Sequence, residues 1–133
     1  MSHWRGSLPA TPEASSILRT RMAALARECG LGDQRVSDVK LAVTEAVTNV
    51  VRHAYGRAPG QVIATADVDE DALRIVIADT GAGIVSRSDN PGLGLGLALI
   101  ARLADTIDVI SKVPGTEIHM TFLCSAAQSG AGS

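Results

Sequence analysis

Apolar residues at helical spacing predict a first helix from Pro12 to about Cys29. Thr11 precedes this helix, Pro occupies its first position, and Gly30 follows its end, which is the usual order of helix start and stop signals. The preceding segment, Ser2 to Pro9, fits either an irregular stretch or a short edge strand. Clear helical periodicity therefore begins at Pro12.

A second helix is predicted from Asp33, which can cap it, to about Tyr55. One of its arcs is apolar and contains Val36, Val39, Val43, Ala46, Val47, Val50 and Ala54. The opposite arc contains Asp38, Ala42, Glu45, Asn49, Arg52 and His53. Asn is a poor residue for a helix interior, because its amide competes for backbone hydrogen bonds. We expect the polar arc to face a cleft or water, with something other than helix propensity keeping Asn49 in place.

Beyond this helix the apolar spacing changes from helical to alternating. The alternation predicts two strands, Gln61 to Val68 and Ala72 to Asp79, and two closing strands, Thr106 to Lys112 and Thr116 to Cys124. Between the two pairs, helical spacing from Leu93 or Leu95 to about residue 105 predicts a third helix. The second half of the chain is therefore built mainly from hairpins.

Asp79 ends an apolar stripe in the second strand. Period-two alternation places it on the same face as Leu73, Ile75 and Ile77. A carboxylate is costly to bury without hydrogen-bond donors, so the position favours a specific acceptor role. Asp also commonly begins a turn such as Asp79-Thr-Gly-Ala-Gly83. For this residue alone, the two interpretations have equal weight.

The predicted order of elements favours an α+β fold. Its natural packing is a two-layer sandwich with a mixed, mostly antiparallel sheet and the helices on one face. The chain has 133 residues, no internal repeat and no long linker, which predicts a single domain over residues 1–133. Residues 125–133 are small and polar, and we expect them to form a disordered tail.

Composition excludes several classes of protein. The net charge is −2, the basic residues are scattered and aromatic residues are nearly absent, so the basic patch and stacking platforms of a nucleic-acid binder are missing. A signal peptide and an apolar run long enough to span a membrane are also missing. Cys29 and Cys124 lie far apart and outside any metal or redox spacing, which predicts reduced thiols in a cytoplasmic protein.

Glycine recurs at alternate positions where the third helix is predicted to begin, in Gly92-Leu-Gly94-Leu-Gly96-Leu97. Exposed backbone N–H groups at such a helix start can bind an anion, which favours phosphate. The run differs from a P-loop and from a dinucleotide fingerprint. Taken alone it is a weak signal, and the upstream Asp-x-Gly-x-Gly and Glu-x-x-x-Asn patterns give it weight.

These three ordered patterns resemble the motifs of the GHKL ATPases, a superfamily that includes type II topoisomerases, histidine kinases and anti-sigma-factor serine kinases. Glu45-x-x-x-Asn49-x-x-x-His53-Ala-Tyr55 resembles the N box, Asp79-Thr-Gly81-Ala-Gly83 the first glycine box, and Gly92-Leu-Gly94-Leu-Gly96-Leu97 the second glycine box. The His-Ala-Tyr ending, the short chain and the preceding helix are most similar to the anti-sigma-factor serine/threonine kinases. The resemblance implies a Bergerat ATP-binding fold, that is, a histidine-kinase-like ATPase domain.

The resemblance also implies roles for the motif residues. Glu45 would be the catalytic general base, Asn49 a ligand of Mg²⁺, and Asp79 the acceptor of the adenine amine. The remaining nucleotide contacts would come from Gly81, Gly83, Gly92, Gly94, Gly96 and Thr116. His53 and Arg52 are plausible phosphate neighbours, with helix-end packing and a solvated charge as their ordinary alternatives.

ATP and Mg²⁺ are the cofactors that the resemblance implies. The implied function is a serine/threonine kinase that phosphorylates a STAS-type anti-sigma-factor antagonist and sequesters a sigma factor, with no direct contact to nucleic acid or membrane. Homodimerisation is a further expectation. The first helix and the segment around Trp4 could supply part of a dimer surface, although core packing explains that helix equally well.

The connection from Ile84 to Pro91 departs from the family pattern. It is short for an ATP lid, it lacks a Thr-Thr-Lys-Pro type of segment, and Arg87 is its only basic residue. This departure bears more on phosphoryl transfer than on nucleotide binding. It supports an alternative function, a nucleotide-responsive regulatory module that binds its partner without transferring phosphate.

Overall fold

The computed structural model describes residues 2–54, 60–81, 91–112 and 114–124. The helices are α1 (Pro12–Glu28), α2 (Asp33–Asn49), which continues as a π-helical turn (Val50–Ala54), and α3 (Pro91–Leu103). The strands are β1 (Ser2–Pro9), β2 (Gln61–Val68), β3 (Ala72–Asp79), β4 (Thr106–Ser111) and β5 (Thr116–Leu123). Tyr55, Gly83, the predicted lid with Arg87 and the tail lie outside the described residues.

The strands form one five-stranded sheet in the order β1-β2-β3-β5-β4. Every neighbouring pair is antiparallel, so the predicted α+β sandwich is confirmed and the sheet has no parallel pair among the described strands. Ser2–Pro9 was expected to be either an irregular stretch or an edge strand. It is an edge strand, paired with β2 along its whole length. The central strand, β3, lies between β2 and β5.

The core lies between one face of the sheet and the helices. Alternate residues of β2, β3 and β5 are buried, while those between them are partly or fully exposed, so one face of the sheet is covered and the other is open. The largest fully buried side chains are Phe122, Leu18, Met22, Leu73, Ile75, Ile77, Ile100, Ile118, Met120, Val39 and Val43. Aliphatic side chains therefore carry most of the packing, as the shortage of aromatic residues predicts.

Helix boundaries differ from the predictions in three places. Gly32, in an extended conformation, is the N-cap of α2, so Asp33 is its first-turn acid and the predicted cap is wrong. Regular α-helical geometry ends at Asn49, earlier than predicted, because the chain continues in a wider π-helical turn. Helix α3 already begins at Pro91, a residue well suited to a helix start, so the glycine run lies inside the helix.

Arg35 connects the first turn of α2 to neighbouring elements. Its guanidinium donates to the Leu103 carbonyl at 2.8 Å and pairs with the carboxylates of Asp38 at 2.9 Å and Asp105 at 2.7 Å. It also lies 5.4 Å from the ring centroid of Phe122, at cation–π distance. These contacts connect α2 to the end of α3 and to β5 at a partly buried position.

Cys29 and Cys124 form a disulfide, so the prediction of reduced thiols is wrong. The two residues are 95 positions apart in sequence, yet their Cα atoms are 5.7 Å apart, within the range that a disulfide requires. Cys29 caps the C-terminus of α1 and Cys124 directly follows β5. Their proximity arises from tertiary packing, which their spacing in the sequence does not reveal.

None of the helices in the described ranges is long and apolar enough to cross a membrane.

Removing the disulfide should destabilise the fold. The bond closes a loop across most of the chain, and losing such a crosslink costs about 2–5 kcal/mol of the free energy of unfolding. We expect Cys29→Ala to lower the melting temperature, measured by circular dichroism. Dithiothreitol should lower that of the wild type to a similar extent and leave the variant unchanged. Equal melting temperatures for oxidised wild type and variant would contradict a stabilising disulfide.

Candidate functional site

Asp79 is a buried carboxylate at the end of the central strand. It is 3% exposed and shares the covered face of β3 with Ile75 and Ile77, as its alternation predicts. Its Oδ1 accepts a hydrogen bond of 2.9 Å from the backbone N–H of Gly81. Its Oδ2 is buried and has no hydrogen-bond partner among the described residues. Asp79 thus begins a turn and also presents an acceptor atom without a described partner. Both features that the sequence suggested for Asp79, the turn start and the acceptor, are present.

Burial raises the pKa of the Asp79 carboxyl above its ordinary value. The backbone N–H groups of Gly81 and Thr116 favour the ionised form and offset only part of this increase. The carboxylate is therefore held in a setting that disfavours its charge. A hydrogen-bond donor brought to Oδ2 by a ligand would relieve that cost.

The turn between β4 and β5 holds the backbone around Asp79. Thr116, which is 1% exposed, pairs with Asp79 across β3 and β5. Gly115 adopts a φ of +106°, and a Cβ at this position would lie 2.0 Å from the Asp79 carbonyl oxygen. Only glycine fits this close approach. Thr116 was predicted as a site residue, whereas Gly115 was not, because its position between two strands does not reveal this contact.

Asn49 is the second buried polar side chain of the site. It is 4% exposed, so the polar arc of α2 is covered at this position instead of facing water. Its Nδ2 is buried and unpartnered within the part of the chain that the structure describes. Regular α-helix gives way to the π-helical turn directly after it. Such wider turns occur often at functional sites.

Gly96 of α3 provides the space that the Asn49 amide occupies. A Cβ at Gly96 would lie 3.0 Å from Asn49 Oδ1 and 3.1 Å from Nδ2, closer than normal van der Waals contact. The motif pattern predicts both residues as nucleotide contacts, but it does not predict that they touch each other. Their contact depends on how α2 and α3 pack, which a local pattern cannot encode.

Gly92 and Gly94 lie in the first turn of α3. The first N–H groups of an α-helix have no partner within the helix, and Pro91 has none to offer. The backbone N–H of Gly92 therefore belongs to the helix end that can donate to an anion, whereas Gly94 is the first residue whose N–H the helix itself normally uses. Gly96, one turn further along, lies where backbone N–H groups are normally used within the helix, so steric clearance is its evident role.

Glu45 lies one helical turn before Asn49 and is half-buried. Within the described ranges its side chain makes no hydrogen bond or ion pair, which leaves the carboxylate available for proton transfer. Arg52, further along, is exposed and likewise forms no ion pair with a described residue. His53 belongs to the π-helical turn, but its side chain lies outside the described part, as do Gly83 and Arg87.

The predicted residues therefore form two described groups. Asn49 and Gly96 meet between α2 and α3, whereas Asp79, Gly81 and Thr116 meet at the ends of β3 and β5. Both α2 and the π-helical turn pack against β3, which connects the two groups. Among the described residues, no group of three or more His, Cys, Asp or Glu side chains could hold a metal ion.

This fold and site define a GHKL-type ATPase domain, and comparison with known proteins agrees. Residues 8–122 match the family model described as the histidine kinase-like ATPase domain. The chain is 33% identical over 129 residues to the serine-protein kinase RsbW of Bacillus cereus (strain AH187), covering 86% of this chain and 80% of the relative. It is 34% identical, with the same coverage, to RsbW of Bacillus mycoides (strain KBAB4). The chain therefore belongs to the histidine kinase-like ATPase family and is of the anti-sigma-factor serine kinase type.

Solved structures support the same fold. The RsbU and RsbW domains of Rv1364c from Mycobacterium tuberculosis match with a TM-score of 0.72 and 22% identity, over 92% of this chain. The chain spans 33% of that longer protein. A histidine kinase domain from Erythrobacter litoralis matches with a TM-score of 0.62 and 24% identity, over 86% of this chain and 63% of the other.

Replacing Asp79 should reveal the cost of burying its charge. Because the folded-state pKa is raised, the contribution of Asp79 to stability is full below its ordinary pKa and is lost as pH rises through the folded-state value. Without nucleotide, we expect Asp79→Asn to melt at a higher temperature than wild type at pH 7. The difference should shrink as pH approaches 3.8, the ordinary value.

The matched control is Asp108→Asn, at an exposed position of β4. We expect it to melt like the wild type across the same pH series, followed by circular dichroism. An Asp79→Asn variant that is less stable than wild type at pH 7 would show that the hydrogen bonds to the carboxylate outweigh its burial.

Proposed function

We propose that this protein is an ATP- and Mg²⁺-dependent serine/threonine kinase of the anti-sigma-factor type. Its substrate is a serine or threonine hydroxyl of a STAS-type anti-sigma-factor antagonist, and its second partner is a sigma factor. The assignment of this protein to the serine kinases comes from its family. The finer assignment rests on the motif resemblance and on the relatives named as serine-protein kinases.

One observation supports nucleotide binding most directly. Within residues 2–54, 60–81, 91–112 and 114–124, the only buried side-chain polar atoms without a hydrogen-bond partner are Asn49 Nδ2 and Asp79 Oδ2. One atom is a donor and the other an acceptor. ATP carries a partner for each, since phosphate oxygens accept hydrogen bonds and the adenine amine donates them. Native proteins rarely leave such atoms unpaired without a reason.

The residues fit the nucleotide in the following way. Asp79 accepts the adenine amine, supported by Thr116 and by the backbone at Gly81 and Gly83. The N-terminal backbone of α3 around Gly92 binds phosphate, with Gly94 and His53 as neighbours. Gly96 completes the set by leaving room for Asn49. These assignments retain every predicted contact but give Gly96 a steric role.

Mg²⁺ fits the Asn49 amide, because a neutral side-chain oxygen is a suitable hard donor for this ion. When bound, the ion would neutralise charge on the phosphates. Asn49 offers one ligand, and the phosphates supply others.

Glu45 is the proposed general base. It accepts the proton of the incoming serine or threonine hydroxyl as that oxygen attacks the γ-phosphorus, while the bond to the ADP oxygen breaks. Its half-buried position, one turn from Asn49 and with no described partner, suits this role.

We place the whole chain in one domain and, because its proposed partners control transcription, in the cytoplasm. Homodimerisation remains part of the proposal.

Substituting Gly96 should weaken Mg²⁺-dependent ATP binding without unfolding the protein. In Gly96→Ala the new methyl group would push the Asn49 amide by a few tenths of an ångström. We expect roughly tenfold weaker binding of Mg-ATP, measured by isothermal titration calorimetry, because ligand geometry is sensitive to such shifts. The melting temperature should be unchanged or higher, since Ala favours a helix interior over Gly by about 1 kcal/mol.

A double-mutant cycle isolates this contact. In an Asn49→Ala background, Gly96→Ala should have no further effect on Mg-ATP affinity. An equal loss of affinity in both backgrounds would contradict the steric role of Gly96.

Replacing Glu45 should separate catalysis from binding. We expect Glu45→Gln to slow phosphoryl transfer to a STAS-type antagonist protein by about 10²–10⁴-fold, as for loss of a general base, with ATP affinity unchanged. Transfer is followed with γ-labelled ATP and Mg²⁺. The matched control is Glu70→Gln, an exposed position in the β2–β3 turn, which should transfer at the wild-type rate.

Two results would overturn parts of this proposal. Unchanged transfer by Glu45→Gln would remove Glu45 as the base. If the wild type bound Mg-ATP but transferred no phosphate to any co-encoded STAS protein, the kinase assignment would fail. A nucleotide-responsive regulatory module would then be the better description.

A further inference from the structure

The open face of the sheet contains a trough that the nucleotide site does not use. Its floor consists of Ile63, Val76 and Ala78, which are apolar and only partly buried. They are neighbours across β2 and β3, where Ile63 pairs with Ala78 and Thr65 with Val76. The trough has a volume of about 350 Å³. This volume is typical of small-molecule sites.

Polar and charged residues surround this apolar floor unevenly. Lys112, His119 and Glu117 line the side formed by β5 and the β4–β5 turn, whereas Arg5 of β1 lines the opposite side. Glu117 accepts from His119 at 2.9 Å and lies 3.9 Å from the Lys112 amine. The negative charge on that side is therefore matched by its own neighbours.

Arg5 is the unmatched positive charge of the trough. It is exposed, and no carboxylate of a described residue lies within ion-pair distance of it. β1 and β5 are separated by β2 and β3, so Arg5 lies roughly 14 Å across the sheet from Glu117, at about 4.8 Å per strand. An anionic group at Arg5 would therefore be remote from the acidic side chain.

We propose that the trough binds a small amphipathic organic anion, of the class of medium-chain carboxylates. Its carboxylate would pair with Arg5, and its apolar chain would cover Ile63, Val76 and Ala78. The charge pattern favours this occupant over a neutral apolar molecule, because a neutral ligand leaves Arg5 unpaired. The volume of the trough suits a small ligand better than a protein surface.

This site is distinct from the nucleotide site and does not depend on the proposed kinase function. Successive residues of a strand point to opposite faces, so Ala78 faces the trough while the Asp79 side chain faces the helices. Asp79 and Thr80 also line the trough, where β3 ends. The two sites therefore lie mainly on opposite sides of β3 and meet at Asp79.

The test is a titration with octanoate, followed by ¹⁵N–¹H correlation spectra, with octanol as the uncharged probe. We expect octanoate to shift the backbone amides of Ile63, Val76 and His119. Arg5→Gln should weaken octanoate binding roughly two- to fivefold, the effect of one solvent-exposed ion pair, and leave the weaker octanol binding unchanged. Arg27→Gln, an exposed arginine of α1, is the matched control and should bind octanoate like the wild type.

Four results would overturn the proposal. Octanoate and octanol could bind equally well, or Arg5→Gln could bind octanoate with wild-type affinity, and either result would exclude recognition of the anion. The amide shifts could instead fall on the groove beside Trp4 and Ile17, which would locate binding elsewhere. If the trough amides shifted on dilution and not with octanoate, a second copy of the chain would occupy this face.

Discussion

A buried polar atom without a hydrogen-bond partner costs a protein about 1–3 kcal/mol, and the described part of this fold retains two such atoms, on Asn49 and Asp79. Domains of this size are typically stable by only about 5–15 kcal/mol, so two such costs are a substantial fraction of the total. Both atoms lie beside the aliphatic core, where water is excluded. A bound molecule that supplies an acceptor to one and a donor to the other removes both costs, which couples stability to ligand binding.

The packing around these two residues explains why they do not relax toward better partners. Asp79 is held from one side by Thr116 in the neighbouring strand, and Gly115 fits closely against its carbonyl. Asn49 is confined where α2 meets Gly96. At the other end of α2, Arg35 ties the helix to α3 and β5, and the disulfide ties the end of α1 to the end of β5. The two unpartnered groups therefore lie on helices and strands that tertiary contacts hold in place, as preorganised binding requires.

The sequence predicts the fold well where the signals are local. The β2–β3 hairpin and the start of α1 follow from period-two alternation and from Thr11-Pro12, which act within a few residues. Asp79 is likewise predicted on the buried face by its own strand. The disulfide and the Asn49–Gly96 contact could not be predicted in this way, because each depends on elements distant in sequence that packing brings together. The N-cap of α2 was misassigned because Asp33 and Gly32 are both acceptable caps and only the backbone distinguishes them.

The burial of the site residues supports nucleotide binding and phosphoryl transfer to different degrees. Asn49 and Asp79 are almost fully buried, so their unpartnered polar groups are costly, and the proposed nucleotide would compensate for that cost. Glu45 is half-buried, and water can solvate its carboxylate, so its presence costs little whether or not it acts as a base. Burial thus supports a ligand that contacts the unpartnered atoms of Asn49 and Asp79 more strongly than it supports catalysis by Glu45. The proposed nucleotide site therefore has support in the burial of Asn49 and Asp79, whereas the proposed phosphoryl transfer depends on how a partner's hydroxyl reaches the half-buried Glu45.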